Sequence, residues 1–281
     1  MSAILQVIAT PIGNLGDASA RSLEALRAVD LVACEDTRVT RTLLGRFGIK
    51  AELVTLQKHN ERTATAKLVG ELQNGRSVAL VSDAGTPALS DPGALLVEQA
   101  HRAGIKVTPV PGPSAVAAAL SVSGFPAAQF FFAGFLPPGA TARRKALGEI
   151  DGPWPIVLYE APHRIRETLA DLQAAFGAAR EVAISRELTK KFEEVVRLPL
   201  GEAGRWLDAG THREQGEFVL VLAPGDARIA KPACDPEEVL GILMTKLAPS
   251  EAARLAARIT GTPRNALYRK ALERGDMASG K

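Results

Sequence analysis

The first 135 residues alternate short, continuously apolar runs with stretches of helical periodicity, and this constrains the fold more than any other feature. Residues 4–9, 31–34, 52–56, 77–81 and 106–110 read as strands. Between them, residues 19–29, 40–47, 62–73, 94–103 and 114–122 read as helices. Strands without polar alternation are apolar on both faces, so the pattern predicts an α/β sheet covered by helices on each side. The second half continues the theme with strands at 155–159, 181–185, 194–198 and 217–223, and helices at 165–176 and near 203–209. Residues 136–153 interrupt it with Pro137-Pro138-Gly139 and Gly152-Pro153 around a basic helical stretch, which reads as an interdomain connection. The expected domains are therefore 1–136, 137–230 and a helical tail at 231–281.

The tail reads as three helices, at 236–247, 251–259 and 263–274. Ala252, Leu255, Ala256 and Ile259 form an apolar stripe, and Thr262-Pro263 reads as a cap and first turn. A helix, a short turn at Gly261 and a basic helix outline a helix-turn-helix. The net charge of +3 sits wholly in this tail, with nine Lys or Arg against six Asp or Glu, while residues 1–230 are neutral. That asymmetry points to an acidic partner such as nucleic acid.

Other classes are disfavoured. No basic and then apolar leader opens the chain, and no run of about 18 apolar residues occurs, so a secreted or membrane-spanning protein is not expected. Two cysteines, Cys34 and Cys234, give neither a disulfide framework nor a Cys-rich zinc site and fit the reducing cytoplasm. Four scattered histidines show no metal-ligand spacing, so no metal is expected.

Three loops at the carboxyl ends of expected strands carry glycine, proline and small polar residues: 10–16, 82–93 and 111–115. In an open α/β sheet ligands bind at that edge, where glycine lets backbone approach the ligand and helix N-termini offer N–H groups to an anion. The first loop is not G-x-G-x-x-G and no Walker A pattern occurs, which disfavours a dinucleotide dehydrogenase and a nucleotide triphosphatase.

These loops carry a resemblance. ATPIGNLGDAS, ACEDTR, LVSDAGTPALSDPG, PVPGPSA, FFFAGFLP, YEAPHR, SRELTK and GEFVLVL occur in order and are similar to the ribosomal RNA methyltransferase branch of the tetrapyrrole methylase superfamily. Residues 264–272 resemble that branch's C-terminal helix-turn-helix. Tetrapyrrole enzymes usually carry Gly-Asp-Pro where this chain has Gly85-Thr86-Pro87, which favours the RNA branch. The resemblance implies two α/β domains with an S-adenosylmethionine cleft between them, 2′-O-methylation of a cytidine ribose in 16S rRNA of the 30S subunit, and a homodimer. It also implies cofactor contacts from Pro11, Ala84, Gly85, Thr86, Ser114 and Ala115, with Tyr159, Glu160 and Leu188 from the second domain. Two other readings stay open: a methylase of this fold acting on a small acceptor such as a tetrapyrrole, and a non-catalytic nucleic-acid-binding regulator.

A ribose hydroxyl is a poor nucleophile near neutral pH, so a base must take its proton. Glu35, Asp36, His59, Asp83, Glu160 and Glu187 are candidates, and Lys190 could stabilise the alkoxide or hold a phosphate. Glu35 and Asp36 could instead cap the following helix, and Glu187 could pair with Arg186 or Lys190. Arg38, Arg41, Arg143, Arg144, His163, Arg164 and Lys191 lie near these loops, and Arg264, Arg269, Lys270 and Arg274 lie on the last helix, as candidate phosphate contacts. Valine at Gly85 is expected to block the cofactor and spare the fold, unless Gly85 has positive φ.

Overall fold

A computed structural model describes residues 3–225 and 235–279, with side chains described as far as Leu272. Cys234 and the Arg274 side chain lie outside the described residues. The chain divides into two compact units, Met1–Gly225 and Asp226–Lys281.

The first unit opens with five parallel strands: β1 (Ile4–Ile8), β2 (Leu31–Cys34), β3 (Glu52–Thr55), β4 (Val78–Leu80) and β5 (Lys106–Val110). Their order is β3-β2-β4-β1-β5. This order makes β4, β1 and β5 neighbours, so the loops that follow them emerge side by side. The intervening helices are α1 (Ala20–Ala28), α2 (Thr37–Arg46), α3 (Glu61–Gln73) and α4 (Ala94–Arg102). Ser19 starts α1 by accepting the Ser22 N–H at 3.0 Å, and the Asp36 carboxylate starts α2 by accepting that of Arg38 at 2.8 Å. Separate apolar clusters cover the two faces, one around Leu5, Leu68 and Leu96 and the other around Ile8, Leu26 and Leu44. Cys34 is fully buried in the second of these.

Two elements depart from expectation, and both bear on the domain boundary. Residues 131–135 form a strand, β6 (Phe131–Phe135), that pairs with β7 (Ile156–Glu160) in a second sheet. Gly134 (φ +62°), where the pairing register shifts, interrupts the apolar run and hides the strand from a reading by pattern. Helix α5 (Ala115–Ser123), which follows β5, packs on the second sheet and not on its own. Its Val116 and Ala119 meet Val157, Ala183, Val219 and Val221. Chain between β5 and β6 thus already packs into the second half's core, ahead of the boundary expected at 136/137.

The second sheet runs β6-β7-β10-β8-β9, with β8 (Glu181–Arg186), β9 (Glu194–Pro199) and β10 (Phe218–Leu222). Only β6 and β7 are parallel; β10 runs antiparallel to β7 and β8, and β9 antiparallel to β8. Helices α6 (Ala140–Glu149), α7 (Ile165–Phe176) and α8 (Leu200–Asp208) cover the face opposite α5. Arg143 of α6 is 1% exposed and donates to Asp171 at 2.7 Å and to the Pro138 carbonyl at 3.1 Å. It ties α6 to α7 and is not available to a phosphate, which corrects its expected RNA role.

The second unit contains α9 (Pro236–Met244), α10 (Pro249–Thr260) and α11 (Arg264–Ser279) around Leu240, Ala252, Ala256, Leu267 and Ala271. Gly261 (φ +71°) ends α10. The stripe is corrected in one particular: Ile259 is 59% exposed, and Ala253 and Thr260 take the buried side with Ala252 and Ala256.

Candidate active site

The three loops converge through hydrogen bonds. Thr10 and Gly85 exchange backbone bonds at 2.9 and 3.0 Å, and the Thr10 hydroxyl donates to the Ser82 carbonyl at 3.1 Å. The Thr86 hydroxyl donates to the Pro113 carbonyl at 3.1 Å, joining the second loop to the third. The Asp36 N–H donates to the Asp83 carboxylate at 3.1 Å, which brings the end of β2 to the same edge.

Opposite them stands the end of the second sheet, and between the two lies a cleft of about 390 Å³. Ile12, Asp83, Ala84, Gly85, Thr86, Ser114 and Ala115 line it from the first sheet's loops, Tyr159, Glu160 and Leu188 from the second. Asp91, Phe135, Pro162, Glu217 and Val219 also line it and were not anticipated. Pro11 does not; its neighbour Ile12 takes that place. Tyr159 is held by edge-on contacts with Phe132 and Phe135 at 5.1 and 5.5 Å between ring centres. Burial, reinforced by the charge of Asp91, pushes its hydroxyl up to about 12, so it stays protonated as a donor.

Strain is concentrated at this cleft. Among the described residues four non-glycine positions have positive φ: Ala88, Ser90, Glu187 and Thr189, two on each side. Each pair flanks a leucine, Leu89 or Leu188, that lines the cleft. Such conformations persist where surrounding structure enforces them, and they gather at functional sites. The loop at 187–190 crosses so close to Gly13 that a Cβ there would lie 2.5 Å from Lys190 Cγ.

The candidate bases separate. Asp36 caps α2 and pairs with Arg38 at 2.7 Å, whose hydrogen bonds hold its carboxyl down at about 2. His59 lies on an exposed turn before α3 and does not line the cleft. Glu35 does not line it either, although burial and the Asp83 charge push its carboxyl up. Glu187 accepts from Lys190 Nζ and from the Glu217 N–H at 2.8 and 2.9 Å. Burial pushes Glu187 up, but these bonds outweigh it and hold the carboxyl below its usual range. Lys190 also donates to Glu217 at 2.8 Å. Burial would lower Lys190, and its two carboxylate partners raise it instead, so it stays charged.

Glu160 lines the cleft, but its carboxylate is fully buried and occupied. It accepts the Ala161 N–H at 2.8 Å and the Thr168 hydroxyl at 2.6 Å, and pairs with Arg164 at 3.2 Å. Arg164 donates in turn to the Leu136 carbonyl at 2.7 Å. The Glu160 carboxylate and the Arg164 guanidinium thus hold the wall in place. Of the remaining cations, Arg38, Arg41, His163 and Lys191 are exposed, and Arg144 is exposed while paired with Asp171 at 2.7 Å. In the second unit, Arg264 donates to Ser250, Lys270 pairs with Glu237, and Arg269 is exposed.

A cleft of this size with aromatic and aliphatic walls, few convergent polar groups and a helix N-terminus suits one small molecule bearing both apolar and charged parts. No group of His, Cys, Asp and Glu among the described residues could hold a metal ion. No helix among them is long and apolar enough to cross a membrane.

Residues 5–204 match the family described as tetrapyrrole (corrin/porphyrin) methylases, and residues 231–275 match the RsmI C-terminal HTH domain. The chain is 48% identical over 265 residues to ribosomal RNA small subunit methyltransferase I of Xylella fastidiosa, covering 94% of this chain and 97% of that protein. Its counterpart in Pseudomonas aeruginosa is 46% identical over 273 residues, covering 96% and 97%. Among solved structures, diphthine synthase superposes with a TM-score of 0.59 at 20% identity, over 79% of this chain and 90% of that one. Uroporphyrin-III-C-methyltransferase of Thermus thermophilus superposes with 0.54 at 20%, over 79% and 94%. These two likenesses concern the fold.

Proposed function

Because the chain belongs to the ribosomal RNA small subunit methyltransferase I family, within the tetrapyrrole methylases, we propose that it methylates the 2′-hydroxyl of a cytidine ribose in 16S rRNA, using S-adenosylmethionine. The observation that carries this reading is the cleft itself, in which three backbone-linked loops of one sheet face the aromatic wall of another.

The donor supplies an activated methyl group on a sulfonium, which leaves the protein to bind, orient and exclude water. Ala84, Gly85 and Thr86, fixed to Thr10 and Pro113, present backbone close to the donor. Ser114 and Ala115 place the first turn of α5 at the cleft, where the positive end of the helix favours the donor's carboxylate. Tyr159, Phe135 and Leu188 form the apolar wall. Asp83 supplies negative charge on the first sheet's side of the cleft, which suits a sulfonium and an ammonium.

The RNA would meet the exposed cations Arg38, Arg41, Arg144, His163 and Lys191. In the second unit it would meet the exposed face of α11, formed by Arg264, Asn265, Tyr268, Arg269 and Leu272. Cations there would neutralise phosphates and Tyr268 offers a ring for a base. Lys270 serves less well, because Glu237 already neutralises it. By the same family reading the protein works in the cytoplasm as a homodimer; sedimentation of the purified chain tests the second statement.

Incubating the protein with labelled donor and either 30S subunits or a small tetrapyrrole acceptor, followed by mass mapping of the methylated product, tests the function. Label in a single cytidine ribose is the expected result. Label only in a small tetrapyrrole acceptor, or in none, would overturn it.

A further inference from the structure

Four carboxylates line the cleft: Asp83, Asp91, Glu160 and Glu217. Three are committed elsewhere. Glu160 is buried in bonds to Ala161, Thr168 and Arg164; Glu217 is paired with Lys190; Asp83 accepts the Asp36 N–H. Asp91 differs from all three. No backbone N–H, lysine or arginine among the described residues bonds it, and the nearby Ser82 hydroxyl lowers its carboxyl only in part. That hydroxyl has one hydrogen, for which the Ala84 and Gly85 carbonyls compete at 3.3 and 3.1 Å. Asp91 also directly follows Ser90, whose positive φ re-aims the chain at this point. Across the cleft stands Tyr159, whose hydroxyl feels the Asp91 charge.

We propose that Asp91 is the proton acceptor of the methyl transfer, taking the proton of the ribose 2′-hydroxyl as that oxygen attacks. The proposal rests on the ribose acceptor argued above. In the step, a bond forms between the 2′-oxygen and the methyl carbon while the carbon–sulfur bond breaks. The bonding pair stays on sulfur and cancels the sulfonium charge. The hydroxyl proton passes to an Asp91 carboxylate oxygen, from which solvent later removes it. Charge balances: a cation and a carboxylate become a neutral thioether and a neutral acid.

The surroundings tune Asp91 for this. Burial raises its carboxyl, the nearby Glu35 and Asp83 charges add to that, and Ser82 and Lys58 oppose it, leaving it at about 6. Tyr159 faces it as a neutral phenol, and the other cleft carboxylates, Glu160 and Glu217, are each tied to a cation. At pH 7 Asp91 is mostly ionised yet more basic than an ordinary carboxylate, the compromise that favours general-base catalysis.

The full-length protein tests this. Single-turnover methylation of 30S subunits from pH 5 to 9 should fall off below about pH 6 in the wild type. D91N should slow it roughly 100-fold or more at saturating donor and remove that acid limb. D91E should recover part of the rate. A second readout needs no turnover. Binding of the cationic donor should lower the Asp91 pKa, so at pH 6 calorimetry in buffers of different ionisation enthalpy should show proton release by the wild type and little by D91N. A folded D91N with the wild-type rate and acid limb, or unchanged proton release, would overturn the proposal. If the wild type labels no ribose, the acceptor reading falls instead, and the role of Asp91 in ribose methylation falls with it.

Discussion

Gly85 sits where the first two loops are stitched together, and its replacement by alanine offers a quantitative test of the cleft's construction. Its φ of +83° lies in the left-handed region, which costs a residue with a Cβ about 1–2 kcal/mol. The backbone cannot relieve this by rotating, because Gly85 both donates to and accepts from Thr10. A Cβ would also sit 3.3 Å from Ile12 Cγ2, so Ile12 must yield by a few tenths of an ångström, and it lines the cleft. At roughly 2–4 °C per kcal/mol for a unit of this size, Gly85→Ala should lower the melting temperature by about 2–8 °C. Gly85→Val should cost more, since a branched side chain tolerates this conformation least. The positive φ thus corrects the expectation that valine would block the cofactor and spare the fold: both should suffer. Thermal melting with and without S-adenosylmethionine, beside calorimetric titration, measures each part. A Gly85→Ala protein that melts and binds like the wild type would refute the argument.

Arg143→Ala should destabilise the protein by about 3 kcal/mol, at the low end for breaking a buried ion pair because Asp171 keeps Arg144, whereas Arg144→Ala should cost under about 1 kcal/mol; denaturant melts compare them. Burial pushes Asp171 up, but bonds from Arg144 and Arg143 outweigh it and hold the carboxyl low, so its contribution is present above the unfolded pKa near 4 and lost as pH falls below that. Acid melts should therefore show the wild type losing its advantage over Arg143→Ala below about pH 4. Gly13→Ala should displace the 187–190 loop and weaken donor binding several-fold with little change in melting, because the added methyl meets Lys190 Cγ and the Leu188 carbonyl; unchanged affinity would place that loop outside the site. Donor affinity should be the same with and without chelator, and loss of binding on metal removal would sink the metal-free reading. Removing residues 226–281 should leave donor affinity near normal and reduce the salt dependence of 30S binding, since the net positive charge resides there; an unchanged salt slope would take α11 out of RNA contact.

Much of this protein is legible in its residues. Continuous apolar runs are what a strand buried on both faces must be, so β2, β4, β7 and β10 announce themselves. The three loops are legible because tight turns and close backbone approach demand glycine and small residues, and motif resemblance placed eight of the cleft's lining residues, from Ala84 to Leu188. Charge asymmetry marked the tail. What the residues could not disclose was decided by chain crossings and by partners distant in sequence. Helix α5 looks like any small-residue helix after a strand, and nothing local says that it leaves its own sheet to cover the other. Arg143 and Arg144 are adjacent, chemically alike and both bonded to Asp171, yet Arg143 is buried and Arg144 faces solvent. The candidate bases had the same character. Asp36, Glu160 and Glu187 are carboxylates like Asp91, and only the folded chain determines that caps, hydroxyls and cations occupy the first three and leave Asp91 open to the cleft. Local sequence specifies conformation through sterics and burial, which act over a few residues. The availability of a charge depends on every group the fold brings within a few ångströms, and that is a property of the tertiary structure.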